Sequence, residues 1–384
     1  MTPAARTQAA IELLDSIVAA AAQGGAAADT LIARYFAARR YAGSKDRRAV
    51  RELVYAAIRA LGERPASGRA ALVALARQDA PLAATFDGSP HGPAPIGDEP
   101  AAVLGVLPHW LAERLTASGL GDDEQAALVE RAPLDVRVNR LCGEAPVIDG
   151  ATPIPGLPDA LRLPAGTDLA PCAGLIEPQD AGSQAVTLAA GAAPGMTVLD
   201  LCAGAGGKSL ALAAAMANQG RIIASDVDRA RLARLAPRAD KAGATIIETR
   251  LLDGGREAAA LSDASADVVF VDAPCSGSGT WRRNPEARWR LTPERLERYA
   301  ATQRHVLALG AAAVRPGGAL VFVTCSLLDA EGADQVERFI ADHPGWSAEQ
   351  LALPFGRARG HGVRLTPAHD GTDGFFVARL RAPC

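Results

Sequence analysis

Asp200-Leu-Cys-Ala-Gly-Ala-Gly-Gly-Lys208 closes an apolar, strand-like run that begins at Thr197 and opens into an Ala- and Leu-rich segment of helical character. Strand, glycine turn and helix, in that order, bring a backbone loop up to a ligand at the carboxyl end of a strand. The same rhythm continues downstream. Strands are expected at Thr197–Leu201, Arg221–Asp226, Thr245–Glu248, Asp267–Asp272, Leu320–Cys325 and Phe375–Leu380, joined by helical segments. Near-continuous apolar strands separated by helices predict an α/β fold, a parallel sheet covered on both faces. Two further motifs fall at strand ends: Asp272-Ala-Pro-Cys275-Ser-Gly and Thr324-Cys325-Ser326.

The glycine loop admits three readings. A phosphate-binding P-loop needs glycine where Cys202 stands, and a dinucleotide fingerprint needs a third glycine where Ser209 stands, so both are incomplete. The third is a site for S-adenosylmethionine, in which Cys202, Ala203, Gly204, Ala205, Gly206, Gly207 and Lys208 approach the methionine end of the cofactor. Such a site needs a carboxylate after the second strand for the two ribose hydroxyls, and Asp226 fits. Asp253, after the third strand, is placed to accept from the adenine amine, and Asp272 ends the fourth strand in step with them. Of 40 basic residues only Lys45, Lys208 and Lys241 are lysine. A lysine in the loop of an arginine-writing chain reads as selected for its compact charge.

The 384 residues suffice for two or three domains. Aromatics make up 4%, so the core must be aliphatic. A net charge of −3 argues against a bulk nucleic-acid binder, but the charge is unevenly spread. Between Leu31 and Ala70, nine Arg and one Lys face three acids; between Trp281 and Arg304, seven Arg face three Glu. Local patches of this kind can neutralise phosphates. Trp281 and Trp289, among those arginines, invite a loop that contacts RNA and stacks on a base; the competing reading puts both in the core.

Residues 1–80 read as helices, with Val50, Leu53, Val54, Ala57, Ile58 and Leu61 forming one apolar stripe behind Ser44 as N-cap. Residues 81–132 read as a Pro/Gly-rich linker with a short helix near Trp110, 133–182 as a small α+β lead-in, and 183–384 as the sheet domain. No signal peptide and no apolar run of membrane-spanning length is present, which predicts a cytoplasmic protein. The six cysteines show no metal-ligand spacing, so no metal is expected.

A cysteine at a strand end is usually a small buried hydrophobe. Two at neighbouring strand ends, beside a cofactor loop, suit another task, methylation of a pyrimidine ring carbon. Carbon 5 of cytosine is a poor nucleophile until a thiolate adds to carbon 6, and its proton must later be removed. The motifs from Cys202 to Lys208, Asp272 to Gly277 and Thr324 to Ser326 together resemble the RsmB/Sun family of RNA (cytosine-5) methyltransferases. So do Arg137-Val-Asn139, Gln179-Asp180 with Ser183-Gln184, and Asp373-Gly-Phe-Phe-Val-Ala378. Ser44-Lys-Asp-Arg47 leading into Arg51-Glu-Leu-Val-Tyr55 is similar to the NusB-like RNA-binding domain of bacterial RsmB members.

The resemblance implies a Rossmann-like class I methyltransferase sheet preceded by an all-α NusB-like domain. It also implies that Cys325 attacks carbon 6, that Cys275 assists proton removal and release, and that Asp272 bonds the cytosine edge with Lys208 close by. DNA cytosine methyltransferases use the Pro-Cys cysteine as nucleophile, so the reverse assignment stays open. The expected substrate is small-subunit ribosomal RNA and the expected state a monomer; transfer RNA and a non-catalytic RNA-binding assembly factor are the alternatives. A nicotinamide dehydrogenase would share the glycine loop and Asp226 but has no use for the two cysteine motifs. The chain departs from the family twice. Ala205 replaces a proline, which frees the loop, and Asp329-Ala-Glu331-Gly332 replaces an acidic pair and Asn, so no role is carried over there.

Overall fold

In the computed structural model, every residue except Ser262 and Ala264 is described. Two units emerge, one of Met1–Arg131 with Thr280–Thr292, the other of Ala132–Gly279 with Pro293–Cys384. Four segments were expected. The structure has two, because 81–132 belongs to the first unit and 133–182 to the second.

The first unit is helical: α1 (Pro3–Gln23), α2 (Ala28–Ala37), α3 (Ser44–Ala60), α4 (Gly68–Ala76), α5 (Ala80–Ala83), α6 (His109–Ala117) and α7 (Asp122–Ala127). The stripe of α3 is buried at Val50, Val54, Ala57 and Ile58, against Leu13, Leu14 and Ile17 of α1. Ser44 is not the cap. Gly43 takes the extended cap position without a side-chain bond, and Ser44 is the first helical residue. The first turn is stabilised instead by Asp46, an acid at the positive end of the helix dipole that pairs with Arg6 at 2.8 Å. The proline-rich stretch packs rather than dangles. Phe86 is 5% exposed in the helical core, and Glu99 accepts two bonds from Arg69 at 2.6 and 2.7 Å.

The segment 280–292 is part of the same core, which corrects the expectation of a base-stacking loop. Trp281 and Trp289 are buried, as are Arg282 and Arg288. Arg288 donates to the carbonyls of Ile58 and Leu61 at 2.6 and 2.7 Å, and Trp289 Nε1 to that of Gly62 at 3.1 Å. Helix ends leave carbonyls without partners, and these groups satisfy those at the end of α3. Burial pulls the Arg288 guanidinium down to about 9. The segment is basic in composition because the first unit needs buried donors.

The second unit opens with a small antiparallel sheet of β1 (Leu134–Val138), β2 (Thr152–Pro153), β3 (Ala160–Leu163) and β4 (Ile176–Pro178), in the order β2-β3-β1-β4. Then follow α8 (Ala181–Leu188), β5 (Thr197–Asp200), α9 (Gly207–Ala215), β6 (Arg221–Asp226), α10 (Arg229–Leu232), α11 (Leu235–Lys241), β7 (Ile247–Leu251), α12 (Glu257–Ala260), β8 (Ala266–Asp272), α13 (Pro293–Ala313), β9 (Val314–Thr324) and α14 (Ala333–Asp342). The chain ends with β10 (Ser347–Glu349), β11 (Arg357–Arg359), β12 (Gly362–Leu365) and β13 (Phe375–Arg381).

The main sheet runs β11-β12-β13-β9-β8-β5-β6-β7, with β10 also paired to β13. From β9 to β7 the pairing is parallel, and β13 joins β9 antiparallel. Along β8, Val268 and Phe270 pack into one apolar cluster and Val269 and Val271 into another, as alternating side chains of a doubly covered sheet must. The fold is therefore the α/β arrangement expected. The third strand lies later than read, at 247–251 rather than 245–248.

Candidate active site

Register brings the motifs together. Asp272 is paired with Val323 across β8 and β9, and Ala273 N donates to the Val323 carbonyl at 2.8 Å, so the two strands end level. Beyond β8 lies β5, with Asp200 opposite Phe270, and then β6, with Asp200 opposite Ala224. Four strands thus present their carboxyl ends along one edge, where ligands bind in open α/β sheets. A cavity of about 570 Å³ opens there, lined on the sheet side by Cys202, Asp226, Asp272, Cys275 and Cys325.

The two thiols touch: Cys275 Sγ is 3.4 Å from Cys325 Sγ. The bond to Cys325, reinforced by burial, pushes the Cys275 thiol well above its ordinary range. Beside them Lys208 Nζ lies 2.6 Å from Asp272 Oδ2. Burial alone would lower the lysine, but the Asp272 carboxylate outweighs it and holds the ammonium charged. Cys202, at the same cavity, is pushed well above the usual thiol range by burial, reinforced by the Asp200, Asp272 and Asp226 carboxylates. It is an inert wall rather than a third nucleophile.

The glycine loop is built tightly. Gly206 has φ +84°, and a Cβ there would fall 2.0 Å from Leu235 Cδ1; at Gly204, φ +55°, it would fall 2.5 Å from Arg231 Nη2. The freedom expected from the missing proline is offset, because the Ala205 carbonyl accepts from Arg238, itself paired with Glu177 at 2.9 Å. Asp226 fixes the loop from the neighbouring strand. Its Oδ2 accepts from Gly204 N at 2.7 Å, and its Oδ1 from Asp228 N at 2.8 Å. Under the loop, Asp200 is fully buried. Ser209 Oγ donates to its Oδ2 at 2.6 Å, while its Oδ1 has no partner among the described residues. Burial raises this carboxyl to about 7.

These features fit a bound S-adenosylmethionine: a glycine loop that takes positive φ at Gly204 and Gly206, a carboxylate at the second strand and an unsatisfied buried acceptor beneath. Asp253 is the expected residue that stands apart. It is exposed, and its neighbour Leu252 is the one that lines the cavity. Of the loop, Cys202 lines the cavity, while Ala203 to Lys208 do not. The sequence reading did not anticipate the opposite wall, where Tyr299, Thr302 and His305 of α13 stand near Glu257 of α12. Their spacing of three is a helical face, but nothing in it announces a ligand. It also passed over Glu331, which is buried between the cysteine loops. Among the described residues, no cluster of His, Cys, Asp and Glu could hold a metal ion, and no helix is long and apolar enough to cross a membrane.

The sequence model of the family described as 16S rRNA methyltransferase RsmB/F matches residues 187–381. The ribosomal RNA small subunit methyltransferase B of Thermus thermophilus is 37% identical over 74% of this chain and 67% of its own length. A probable ribosomal RNA small subunit methyltransferase B of Synechocystis is 32% identical over 72% of this chain and 66% of its own length. The chain spans about two thirds of the length of the curated relatives it matches. Among solved structures, PH0851 superposes with a TM-score of 0.74 at 24% identity, covering 99% of both chains. NSun6 from Pyrococcus horikoshii with SFG gives 0.63 at 20% identity, covering 71% of this chain and 98% of that one.

Proposed function

This chain belongs to the 16S rRNA methyltransferase RsmB/F family, and on that premise we propose that it methylates carbon 5 of a cytidine in small-subunit ribosomal RNA. The observation that carries the reading is the pair of thiols 3.4 Å apart at the ends of adjacent parallel strands, on the cavity that Asp226 also faces. S-adenosylmethionine, when bound, supplies an electrophilic methyl group. Asp226 and the glycine loop from Cys202 to Gly207 hold it, with Leu252 as an apolar wall; Asp253 reaches it only if its exposed side chain turns inward.

The chain's own residues do the rest. Cys325 adds as a thiolate to carbon 6 of the cytosine, and the electrons of the 5,6 double bond make carbon 5 nucleophilic. Lys208 and Asp272 form an ion pair at 2.6 Å, and Asp272 orients the ring by accepting from its edge. Once carbon 5 carries the methyl group, Cys275, having lost its own proton to water, takes the remaining proton from carbon 5. The electron pair of that C–H bond restores the double bond as the carbon–sulfur bond breaks and returns the Cys325 thiolate. The helical unit, NusB-like in this reading, brings exposed Arg34, Arg40, Lys45, Arg47, Arg48 and Arg51 to the RNA backbone. The protein acts as a monomer in the cytoplasm.

The test is incubation with methyl-labelled S-adenosylmethionine and small-subunit ribosomal RNA lacking cytosine methylation, followed by digestion to nucleosides. Label should appear in 5-methylcytidine. Cys325→Ala should abolish both covalent adduct and turnover, whereas Cys275→Ala should form the adduct and stall. Adduct in Cys325→Ala but not in Cys275→Ala would reverse the two roles. Label only with transfer RNA would move the substrate, and cofactor binding without label on any RNA would leave an assembly factor.

A further inference from the structure

One buried carboxylate at the centre of the site is not used by the chemistry above. Glu331 is 1% exposed and lies in the short turn after β9. Its Oε1 accepts from Ser276 N at 2.9 Å and Gln303 Nε2 at 3.2 Å, and its Oε2 accepts from Ser326 Oγ at 2.6 Å. Ser276 and Ser326 are the residues immediately after the two cysteines. Gln303 also donates to the carbonyl of Pro274, just before Cys275, at 2.9 Å. The serines reach each other as well, Ser326 Oγ lying 3.1 Å from Ser276 Oγ and 3.2 Å from Ser278 Oγ. A single carboxylate therefore ties together the two loops that carry the thiols.

Its partners favour the charged form: a backbone N–H and a side-chain amide can only donate toward Oε1, and the Ser326 hydroxyl turns to Oε2. Burial nevertheless raises its carboxyl overall, with the Ser276, Ser326 and Gln303 bonds opposing the shift. The charges around the thiol pair are then divided, with the Lys208–Asp272 pair on one side and Glu331 on the other.

We propose that Glu331 is a positioning residue that holds the two sulfurs in contact and sets its charge beside Cys275 through the Ser276 backbone. The negative charge beside the Cys275 loop opposes a thiolate there, adding to the effect of Cys325 itself and of burial. When the Cys325 sulfur becomes a neutral thioether on carbon 6, the larger of these restraints disappears. Cys275 then gives its proton to water and becomes the base that takes the proton from carbon 5. Glu331 in this way sets the order of events as well as the geometry. The inference rests on the proposed cytosine chemistry.

The alkylation measurements need neither RNA nor S-adenosylmethionine turnover, so their failure is distinct from failure of that chemistry. In a Cys325→Ala background, the alkylation rate of Cys275 by iodoacetamide is measured at pH 7.5 with and without Glu331→Gln. The amide keeps the shape and removes the charge, and the rate should rise about tenfold, one unit of thiol ionisation. An unchanged rate in a protein that still binds S-adenosylmethionine would overturn the proposal. Glu331→Asp keeps the charge but loses reach. Cys275 should stay slow to alkylate in the same background, while methyl transfer in the otherwise native chain falls. If Glu331→Gln does not fold, the aspartate variant decides alone, and fast alkylation in it overturns the proposal.

Discussion

Asp200 sits at full burial with one oxygen unpaired, and its carboxyl is raised to about 7 from an ordinary 3.8. The folded chain holds this proton more tightly than the unfolded one. The group therefore costs nothing below about pH 4, weakens the fold progressively up to about pH 7, and leaves a constant penalty above. Asp200→Asn should raise the Tm of the ligand-free protein at pH 8 by the equivalent of about 4 kcal/mol and leave it unchanged near pH 4. Thermal melts across that range check this, and a gain independent of pH would mean that the titrating group is another. At this scale the sequence was partly legible. Cys202, Cys275, Cys325, Asp226, Asp272 and Lys208 carry their chemistry in their motifs. Glu331 does not, because its partners come from three separate segments and only the level ends of β8 and β9 bring them together. Asp253 was named from its place after the third strand, and its side chain is exposed in this structure.

The loop between β5 and α9 depends on backbone that has no space for a Cβ. Gly206→Ala would place a methyl group against Leu235 and force an L residue into the left-handed region. Calorimetric titration should show S-adenosylmethionine binding weakened at least tenfold, with about 1–3 kcal/mol of stability lost. Affinity equal to that of the parent would mean that the loop does not form the cofactor cradle. The elements themselves were mostly readable, since four of the six expected strands sit within one residue of their places, for continuous apolar runs announce buried strands. β9 begins six residues before the expected Leu320. β7, the edge of the sheet and only half-buried, lies late because Ile247-Glu-Thr-Arg-Leu251 alternates and the apolar cue falls two residues early. The N-terminal stripe was legible for a similar reason, whereas the cap of α3 was not, because Gly43 and Ser44 both suit that position.

At the scale of the whole molecule, composition misled most. Seven arginines after the Asp-Ala-Pro-Cys loop look like an RNA surface, and the proline-rich stretch from 81 looks like a tether. Arg282, Arg283, Arg288 and Arg290 are built into the helical unit with the proline-rich stretch, and for the arginines this depends on contacts far apart in the chain, such as the 230 residues between Arg288 and Ile58. Arg288→Met should lower the unfolding free energy by about 2–3 kcal/mol, since it leaves buried carbonyls of α3 without a donor. Chemical denaturation measures this, and a loss under about 0.5 kcal/mol would show that water replaces the guanidinium. The discontinuity also has a consequence for synthesis. The ribosome releases the first 131 residues of the helical unit and then makes roughly 150 more before the segment that completes it. At about 5–20 residues per second, that is a wait of roughly eight to thirty seconds. Through that interval the nascent α3 has neither Arg288 nor Trp289 at its end, so the helical unit cannot close its core until the chain has passed Thr292, well into synthesis of the second unit.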